Sequence, residues 1–74
     1  MSNSMSSLKI GESAVISALY NKGDIRRRLM DIGFTEGTQV KCIGKSPLGD
    51  PVAYLVKGAV IALRREDSSQ ILVI

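Results

Sequence analysis

The fold is decided by residues 24–63, which read DIRRRLMDIGFTEGTQVKCIGKSPLGDPVAYLVKGAVIAL. This stretch predicts, in order, a short arginine-rich helix, a glycine stop, a strand, a Pro-Leu-Gly-Asp-Pro loop and two apolar strands. The spacers between these elements have the length of turns, as in a small β-rich domain. The stretch offers no side chain suited to catalysis. It nevertheless carries more glycine and proline in its loops than a barrel core needs. It therefore favours a protein that is bound by a partner.

The predicted helix has two chemically different sides. Asp24 is expected to cap its start by accepting hydrogen bonds from the free backbone amides of the first turn. Ile25, Leu29 and Ile32 recur at i, i+4 and i+7, so one stripe of the helix should face the core. The arginine run at 26–28 must then spread over the other faces. It is either a solvated face paired with nearby aspartates or a surface for an acidic partner.

The end of the helix is predicted at a glycine. Gly33 stands where the chain needs a positive φ, which glycine adopts without a clash of its own β-carbon. Phe34 is then the next residue and should pack back on Leu29, the hydrophobic contact that accompanies this type of helix end.

Five short strands complete the predicted domain. Val40 and Cys42 alternate with polar neighbours in residues 39–45, so these two side chains should share the buried face of their strand. The other strands are predicted at 14–19, 52–57, 60–64 and 71–74, with a hairpin turn at Gly58-Ala59 and a polar turn at 65–69. The prediction is a mainly β protein, a small bent barrel of about five strands with one short helix inserted after the first strand. Residues 1–7 are expected to be a disordered segment, and residues 8–74 the barrel domain.

The loop at residues 47–51 is the second unusual feature. Its prolines, Pro47 and Pro51, fix φ and remove amide donors, while Gly49-Asp50 supplies the turn. A stiff loop of this kind holds Leu48 where neither flanking strand would place it. Leu48 is either an anchor for a partner or filler that packs on the helix, and Met30 is open to the same two interpretations.

The composition limits the class of function. A chain of 74 residues is one domain, too short to build the cleft between layers that enzymes use. The net charge of +3 permits attraction to acidic partners without requiring it. Cys42 is the only cysteine, and no apolar run reaches membrane-spanning length. We therefore expect a cytoplasmic protein that is not an enzyme, with no direct membrane insertion and with room for weak self-association.

Metal and cofactor binding are not expected from these residues. Ferrous iron favours clustered imidazole, carboxylate or thiolate ligands, whereas this chain has no histidine and one cysteine. Its carboxylates are scattered along the sequence, at Glu12, Asp24, Asp31, Glu36, Asp50, Glu66 and Asp67. No glycine-rich phosphate loop followed by Lys-Ser/Thr is present either, so nucleotide hydrolysis would belong to a partner.

Three motifs together carry a resemblance to a known family. They are the arginine-rich helix ending in Asp31-Ile32-Gly33, the Ser46–Pro51 loop (SPLGDP) and Ala62-Leu63-Arg64, with Gly37-Thr38-x-Val40 between the first two. In this order and spacing the chain resembles the FeoA family, accessory proteins of bacterial ferrous-iron transport. The resemblance covers nearly the whole chain after the serine-rich start. Glu36 departs from the family pattern, because the family often has proline at this position, directly before the glycine that is Gly37 in this sequence.

The resemblance implies an SH3-like barrel, a role in transition-metal transport and a partner, the cytosolic part of the FeoB membrane permease. From the residues, the helix and the loop are the predicted partner-binding surface. Its members are Arg26, Arg27, Leu29, Met30, Pro47, Leu48, Gly49, Asp50 and Pro51.

Two other functions remain as alternatives: a nucleic-acid-binding small barrel, or a stand-alone relative of the SH3-like domain of iron-dependent repressors. Nucleic acid is not the expected partner, since Tyr20, Phe34 and Tyr54 do not alternate with the arginines as a base-stacking platform would.

Overall fold

The computed structural model describes residues 3–74, and its elements are short, as the turn signals predict. The strands are β1 (Asn3–Ser4), β2 (Ser13–Leu19), β3 (Gln39–Lys45), β4 (Val52–Val56), β5 (Ala59–Leu63) and β6 (Ile71–Val73). The helices are a 3-10 helix (Met5–Ser7), α1 (Gly23–Ile32) and α2 (Arg65–Ser68). The mainly β class and the helix inserted after an early strand are confirmed, and the strand count is one higher than predicted.

All strands join one antiparallel sheet in the order β1-β6-β2-β3-β4-β5. Register shifts lie between Ile16 and Ala18 in β2 and between Cys42 and Gly44 in β3. Bulges of this kind bend a strand and increase its twist, which lets a single sheet curl around its own core. β1 and β5 are the two edges of the sheet.

The core follows the period of two that the strands show in sequence. Val40 and Cys42 of β3 are fully buried while Gln39 and Lys41 are exposed, as predicted, and Cys42 is a free thiol. In β4, Val52, Tyr54 and Val56 face inward in the same way. The buried hydrophobic set is Met5, Leu8, Ile16, Leu19, Leu29, Phe34, Val40, Cys42, Val52, Tyr54, Val56, Leu63, Ile71 and Val73.

The start of α1 differs from the prediction. The N-cap position is Lys22, in an extended conformation, and it makes no side-chain hydrogen bond to the helix. Gly23 has a φ of 69° and carries the chain into the first turn. Asp24 therefore lies inside that turn, too late to cap it. Its negative charge still complements the positive end of the helix dipole.

The end of α1 is confirmed. Gly33 has a φ of 130°, its amide donates to the carbonyl of Met30 (3.1 Å), and the Phe34 amide donates to the carbonyl of Leu29 (2.9 Å). These two bonds are the pattern of a Schellman motif. Leu29 and Phe34 are both buried in the same cluster, so the glycine stop fixes an aromatic ring in the core. Ile25 and Ile32 pack against that cluster as well.

The β4–β5 hairpin turns one residue earlier than predicted. Val56 pairs with Ala59, which makes Lys57-Gly58 the turn. Both residues have positive φ, 48° at Lys57 and 81° at Gly58, as a type I′ turn requires. The reason is the right-handed twist of the two strands, which this turn matches even though Lys57 is not a residue that favours positive φ.

The N-terminal segment is ordered from Asn3, and the prediction of disorder is wrong for residues 3–7. Asn3 pairs with Val73 and Ser4 with Leu72. Met5 follows with 0% exposure, inside the core cluster. The sequence predicted disorder because the segment is rich in serine and Met5 is the one buried apolar residue among residues 3–7. The strand pairing could not be predicted locally, because its partner β6 lies at the far end of the sequence. Residues 1 and 2, also part of that prediction, lie outside the described residues.

Candidate functional site

The loop between β3 and β4 is braced by its own hydrogen bonds. The Ser46 hydroxyl donates to the Asp50 carbonyl (2.6 Å), and the Gly49 amide donates to the Ser46 carbonyl (2.8 Å). The Ser46 amide donates to the carbonyl of Pro51 (3.1 Å). Leu48 stands at the tip with 95% of its surface exposed. It does not pack on the helix, so the structure excludes the interpretation of Leu48 as core filler.

The short helix α2 links this loop to the start of α1. A carboxylate oxygen of Asp50, Oδ1, accepts a hydrogen bond from the Arg65 backbone amide (2.8 Å). At the other end of α2, the side-chain amide of Asn21 donates to the Asp67 carbonyl (3.0 Å). Asn21 is buried and lies two residues before α1. Sequence reasoning predicted only a polar turn at 65–69 and missed this link.

The buried phenol of Tyr54 lies behind the loop and α2. Its hydroxyl donates to the Met5 carbonyl at 3.4 Å. Burial raises the pKa of Tyr54 above its ordinary value of 10.0, and Ser68 and Arg65 partly offset that rise. Tyr54 is therefore a buried, neutral group on the core side of the loop.

The predicted site residues on α1 separate into buried and exposed members. Leu29 is 1% exposed and belongs to the core, so it cannot touch a partner. Met30 is 42% exposed and stays available, contrary to its interpretation as core filler. Arg26 is half-buried and its Nη1 donates to the Leu19 carbonyl (2.5 Å) at the end of β2. Arg26 thus holds α1 against the sheet.

The outer face of α1 is charged but balanced. Arg27 and Arg28 are exposed, and with Asp24, Asp31 and Ile32 they surround one shallow depression. The four charges bring the helix face close to neutrality. A solvated face and a polar interface both fit this arrangement.

The loop is linked through α2 to the residues just before α1, by the Asp50–Arg65 and Asn21–Asp67 hydrogen bonds. The end of α1 lies near the β4–β5 turn, since a β-carbon on Gly33 would be 3.1 Å from Cδ of Lys57. The loop lies at the opposite end of β4, where Val52 pairs with Lys45. The structure therefore joins Asp50 to α2, whose other end is bonded to Asn21 before α1, while the end of α1 lies at the opposite end of β4.

Tyr20 is a candidate contact residue that the sequence did not single out. It is 61% exposed and sits in the connection between β2 and α1, beside Asn21. Tyrosine is enriched at protein interfaces, where its ring adds area and its hydroxyl adds a hydrogen bond. The available signal was an aromatic residue placed directly before the Asn-Lys-Gly turn. Phe34 and Tyr54 are buried, which leaves no row of exposed aromatics in residues 3–74 for stacking bases.

The described residues hold no cluster of side chains that could bind a metal ion. Within residues 3–74, no three His, Cys, Asp or Glu side chains come together as metal ligands would. None of the helices in this part of the chain is long and apolar enough to cross a membrane. What the site offers is an exposed leucine, an exposed tyrosine and mixed charges on a braced frame, which suits docking.

Comparisons with known proteins agree with the fold and the motifs. The chain is 36% identical over 67 residues to a Porphyromonas gingivalis Fe(2+) transport protein A/Fe(2+) transporter FeoB fusion protein. That match covers 90% of this chain and 8% of the relative, so the chain spans a small part of the fusion protein.

Two solved structures are similar over nearly the whole chain. The FeoA protein of Chlorobium tepidum is 33% identical with a TM-score of 0.89, covering 96% of this chain and 69% of that one. Stenotrophomonas maltophilia FeoA complexed with zinc, an SH3 domain protein, is 29% identical with a TM-score of 0.85, covering 96% and 88%. The predicted SH3-like barrel is confirmed. The family model for the FeoA domain matches residues 3–74, and the chain belongs to the FeoA family.

Proposed function

We propose that this chain is a cytoplasmic, non-enzymatic accessory protein that binds the cytosolic part of a FeoB-type permease and regulates ferrous-iron transport. The observation that carries the proposal is the Porphyromonas gingivalis relative, in which a segment 36% identical to this chain shares one polypeptide with a FeoB transporter. Fusion keeps two modules at a high effective concentration, and such an arrangement is useful when the separate modules must bind each other.

The loop supplies the anchor of the proposed docking surface. Leu48 is 95% exposed on a loop that is braced by internal hydrogen bonds and contains two prolines. A preorganised apolar side chain loses little conformational entropy on binding. We therefore assign Leu48 the central contact, with Tyr20 beside the start of α1 as the second apolar contact.

The charged rim of this surface is proposed at Arg27 and Arg28. Both side chains are exposed and lie on the outer face of α1. Charges at the rim of an interface act mainly on the association rate and on its salt dependence. Arg26 is excluded from this role because its guanidinium is engaged by the Leu19 carbonyl.

The test measures binding of the full chain to the purified cytosolic domain of a FeoB-type permease by calorimetry. Leu48→Ala should leave the melting temperature unchanged, since the side chain is exposed, and should weaken binding by about 1–2 kcal/mol. Ile10→Ala is the matched control, because Ile10 is 61% exposed on a different turn and has no place in the proposed surface. It should bind as the parent chain does.

The charge-reversal variants Arg27→Glu and Arg28→Glu complete the test. They should slow association and reduce its dependence on salt, with a smaller effect on dissociation. If these variants and Leu48→Ala all fold and bind like the parent chain, the docking surface lies elsewhere. If the parent chain shows no binding to the permease domain, the proposed partner is wrong.

A further inference from the structure

β5 is an edge strand whose outward backbone groups are free. Val56 and Ala59 close the two-residue turn of the β4–β5 hairpin, and the pair that closes such a turn is hydrogen-bonded. Hydrogen-bonded and non-hydrogen-bonded pairs alternate along an antiparallel ladder. Val60 and Ala62 therefore belong to non-hydrogen-bonded pairs, and their N–H and C=O groups point away from β4.

No other part of residues 3–74 uses these groups. β5 pairs with β4 alone, and the hydrogen bonds between elements in the described chain involve neither Val60 nor Ala62. Val60 is 63% exposed and Ala62 is exposed as well. Edge strands of this kind are templates for pairing with another strand, and proteins usually protect them with charge, proline or a bulge. Residues 59–63 contain none of these protections.

The outer face beside the free edge is apolar. Val60 lies opposite Leu55, and Ala62 lies opposite Ala53, so these four side chains form one block on the outside of the hairpin. Leu55 and Val60 are 37% and 63% exposed. An added strand would place alternate side chains next to this block, where they would bury apolar surface.

Within residues 57–65 the charged side chains are all basic, and the Asp50 carboxylate and Glu66 lie beyond them. Lys57 precedes β5, Arg64 and Arg65 follow it, and residues 57–65 contain no acidic residue. On the outer face, Lys41 lies opposite Leu55 in the neighbouring ladder. The free edge is thus a short apolar strand with positive charge at both of its ends.

We propose that the β5 edge binds an extended acidic segment of a partner protein, which adds to the sheet as an antiparallel strand. Val60 and Ala62 would supply the backbone hydrogen bonds, alternate apolar residues of the segment would lie beside the Leu55–Val60 block, and acidic residues at its two ends would meet Lys57 and Arg64. Strand addition of this type takes affinity from the main chain and selectivity from the flanking side chains.

A second copy of this chain fits the same edge less well. Antiparallel pairing that uses both free residues would set Val60 against Ala62 of the second copy, with Ile61 at the two-fold axis. This register brings the Lys57 end of one copy next to the Arg64–Arg65 end of the other. Like charges facing each other destabilise a strand pair, so the charge pattern selects an acidic occupant.

The free backbone groups of Val60 and Ala62 do not belong to the loop, to Tyr20 or to α1, although Lys57 lies near the end of α1 and Arg65 is bonded to the loop through Asp50. A failure of the strand site would leave the proposed permease surface in place, and the reverse also holds. The two sites are distinguishable by experiment because Leu48→Ala should not alter binding at β5, and a change at Ala62 should not alter binding through Leu48.

The first experiment uses a synthetic peptide, acetyl-Asp-Glu-Val-Thr-Val-Thr-Val-Asp-Glu-amide, and follows amide hydrogen exchange in the full chain. Saturating peptide should slow exchange at Val60 and Ala62 by about tenfold or more, because both amides become hydrogen-bonded. A matched peptide with lysine in place of each acidic residue should give no protection. Protection that grows with protein concentration in the absence of peptide would show that a second copy occupies the edge, and would overturn the proposal.

The second experiment changes the edge itself. Ala62→Pro removes a backbone donor that faces solvent, a position where proline is tolerated on an edge strand, and should weaken peptide binding by about tenfold or more. Ala62→Ser is the control that keeps the donor, and it should bind as the parent does. Arg64→Glu should weaken binding in low salt. Equal peptide affinity in the parent, Ala62→Pro and Arg64→Glu would overturn the proposal. A result in which the peptide protects only amides that lie outside β5 would also overturn it.

Discussion

At the scale of single residues, the backbone at Gly33 is the most constrained position of the helix–strand connection. Its φ of 130° lies in the region that disfavours side chains, and a β-carbon there would approach Cδ of Lys57 to 3.1 Å. The lysine stem is flexible and can move. We expect Gly33→Val to lower the free energy of unfolding by at least about 1 kcal/mol, chiefly through backbone strain.

Gly37→Val is the matched control for that prediction. Gly37 also has positive φ, 85°, but a β-carbon there would meet nothing within 4 Å. Urea unfolding of both variants separates strain from the contribution of the helix end, and Gly33→Val should be the more destabilised because it also disturbs the Leu29–Phe34 contact. Unchanged stability of Gly33→Val would show that this helix end does not depend on glycine.

Tyr54 gives the protein a predictable response to alkaline pH. Burial raises the pKa of its phenol in the folded state above 10.0, so folding favours the neutral form. The stabilisation is complete below the unfolded-state pKa and is lost as the pH rises through the folded-state pKa. We expect the free energy of unfolding to fall above about pH 10 and the fall to be smaller in Tyr54→Phe, measured by urea titration across that range.

Tyr20→Phe controls for the loss of a phenol as such. Tyr20 is 61% exposed, so this change should leave the alkaline loss of stability in place. At neutral pH, Tyr54→Phe should cost no more than about 1.5 kcal/mol, because its hydrogen bond to the Met5 carbonyl is long, at 3.4 Å. The same alkaline slope in the parent and in Tyr54→Phe would contradict the assignment.

At the scale of elements, the contact between the loop and α2 organises the candidate docking surface. Asp50 accepts a hydrogen bond from the amide of Arg65, the first residue of α2. A carboxylate at a helix start satisfies a free amide and complements the positive end of the helix. We expect Asp50→Ala to lower the free energy of unfolding by about 0.5–2 kcal/mol, and amide exchange at Arg65 to become faster.

Asp50→Asn keeps an acceptor oxygen in place without the charge. Its loss of stability should therefore be smaller than that of Asp50→Ala, and exchange at Arg65 should stay close to that of the parent. Thermal unfolding and amide exchange measured on the two variants decide the matter. An alanine variant as stable as the parent would mean that α2 forms without the loop.

At the scale of the whole molecule, the first and last strands of the described residues pair with each other. β1 pairs with β6, and Met5 enters the core from the N-terminal side. A barrel of this size has only about 3–5 kcal/mol of net stability, and truncating a buried methionine costs about 2–5 kcal/mol. We expect Met5→Ala to lower the free energy of unfolding by about 2 kcal/mol or more, measured by urea unfolding.

Ile10→Ala serves as the control, since Ile10 is also apolar and near the N-terminus but is 61% exposed. Its effect should stay within about 0.5 kcal/mol. Equal stability of the two variants would show that the N-terminal segment adds nothing to the core. It would also support the prediction, made from composition, that this segment is disordered.

The sequence by itself determined what depends on local backbone preference and on period. It located the end of α1 at Gly33, because positive φ is a property of one residue and its neighbours. It assigned Val40 and Cys42 to the core, because side chains alternate across a strand. It also carried the family motifs, which need only order and spacing.

The tertiary structure decided what depends on distant contacts. Met5 is buried because the far end of the chain supplies β6, Arg26 is held by the Leu19 carbonyl, and α2 joins the loop to Asn21. Neither the amino-acid composition nor the periodicity of apolar residues predicts which groups come into contact across the barrel. Those contacts form only when the sheet curls around its core.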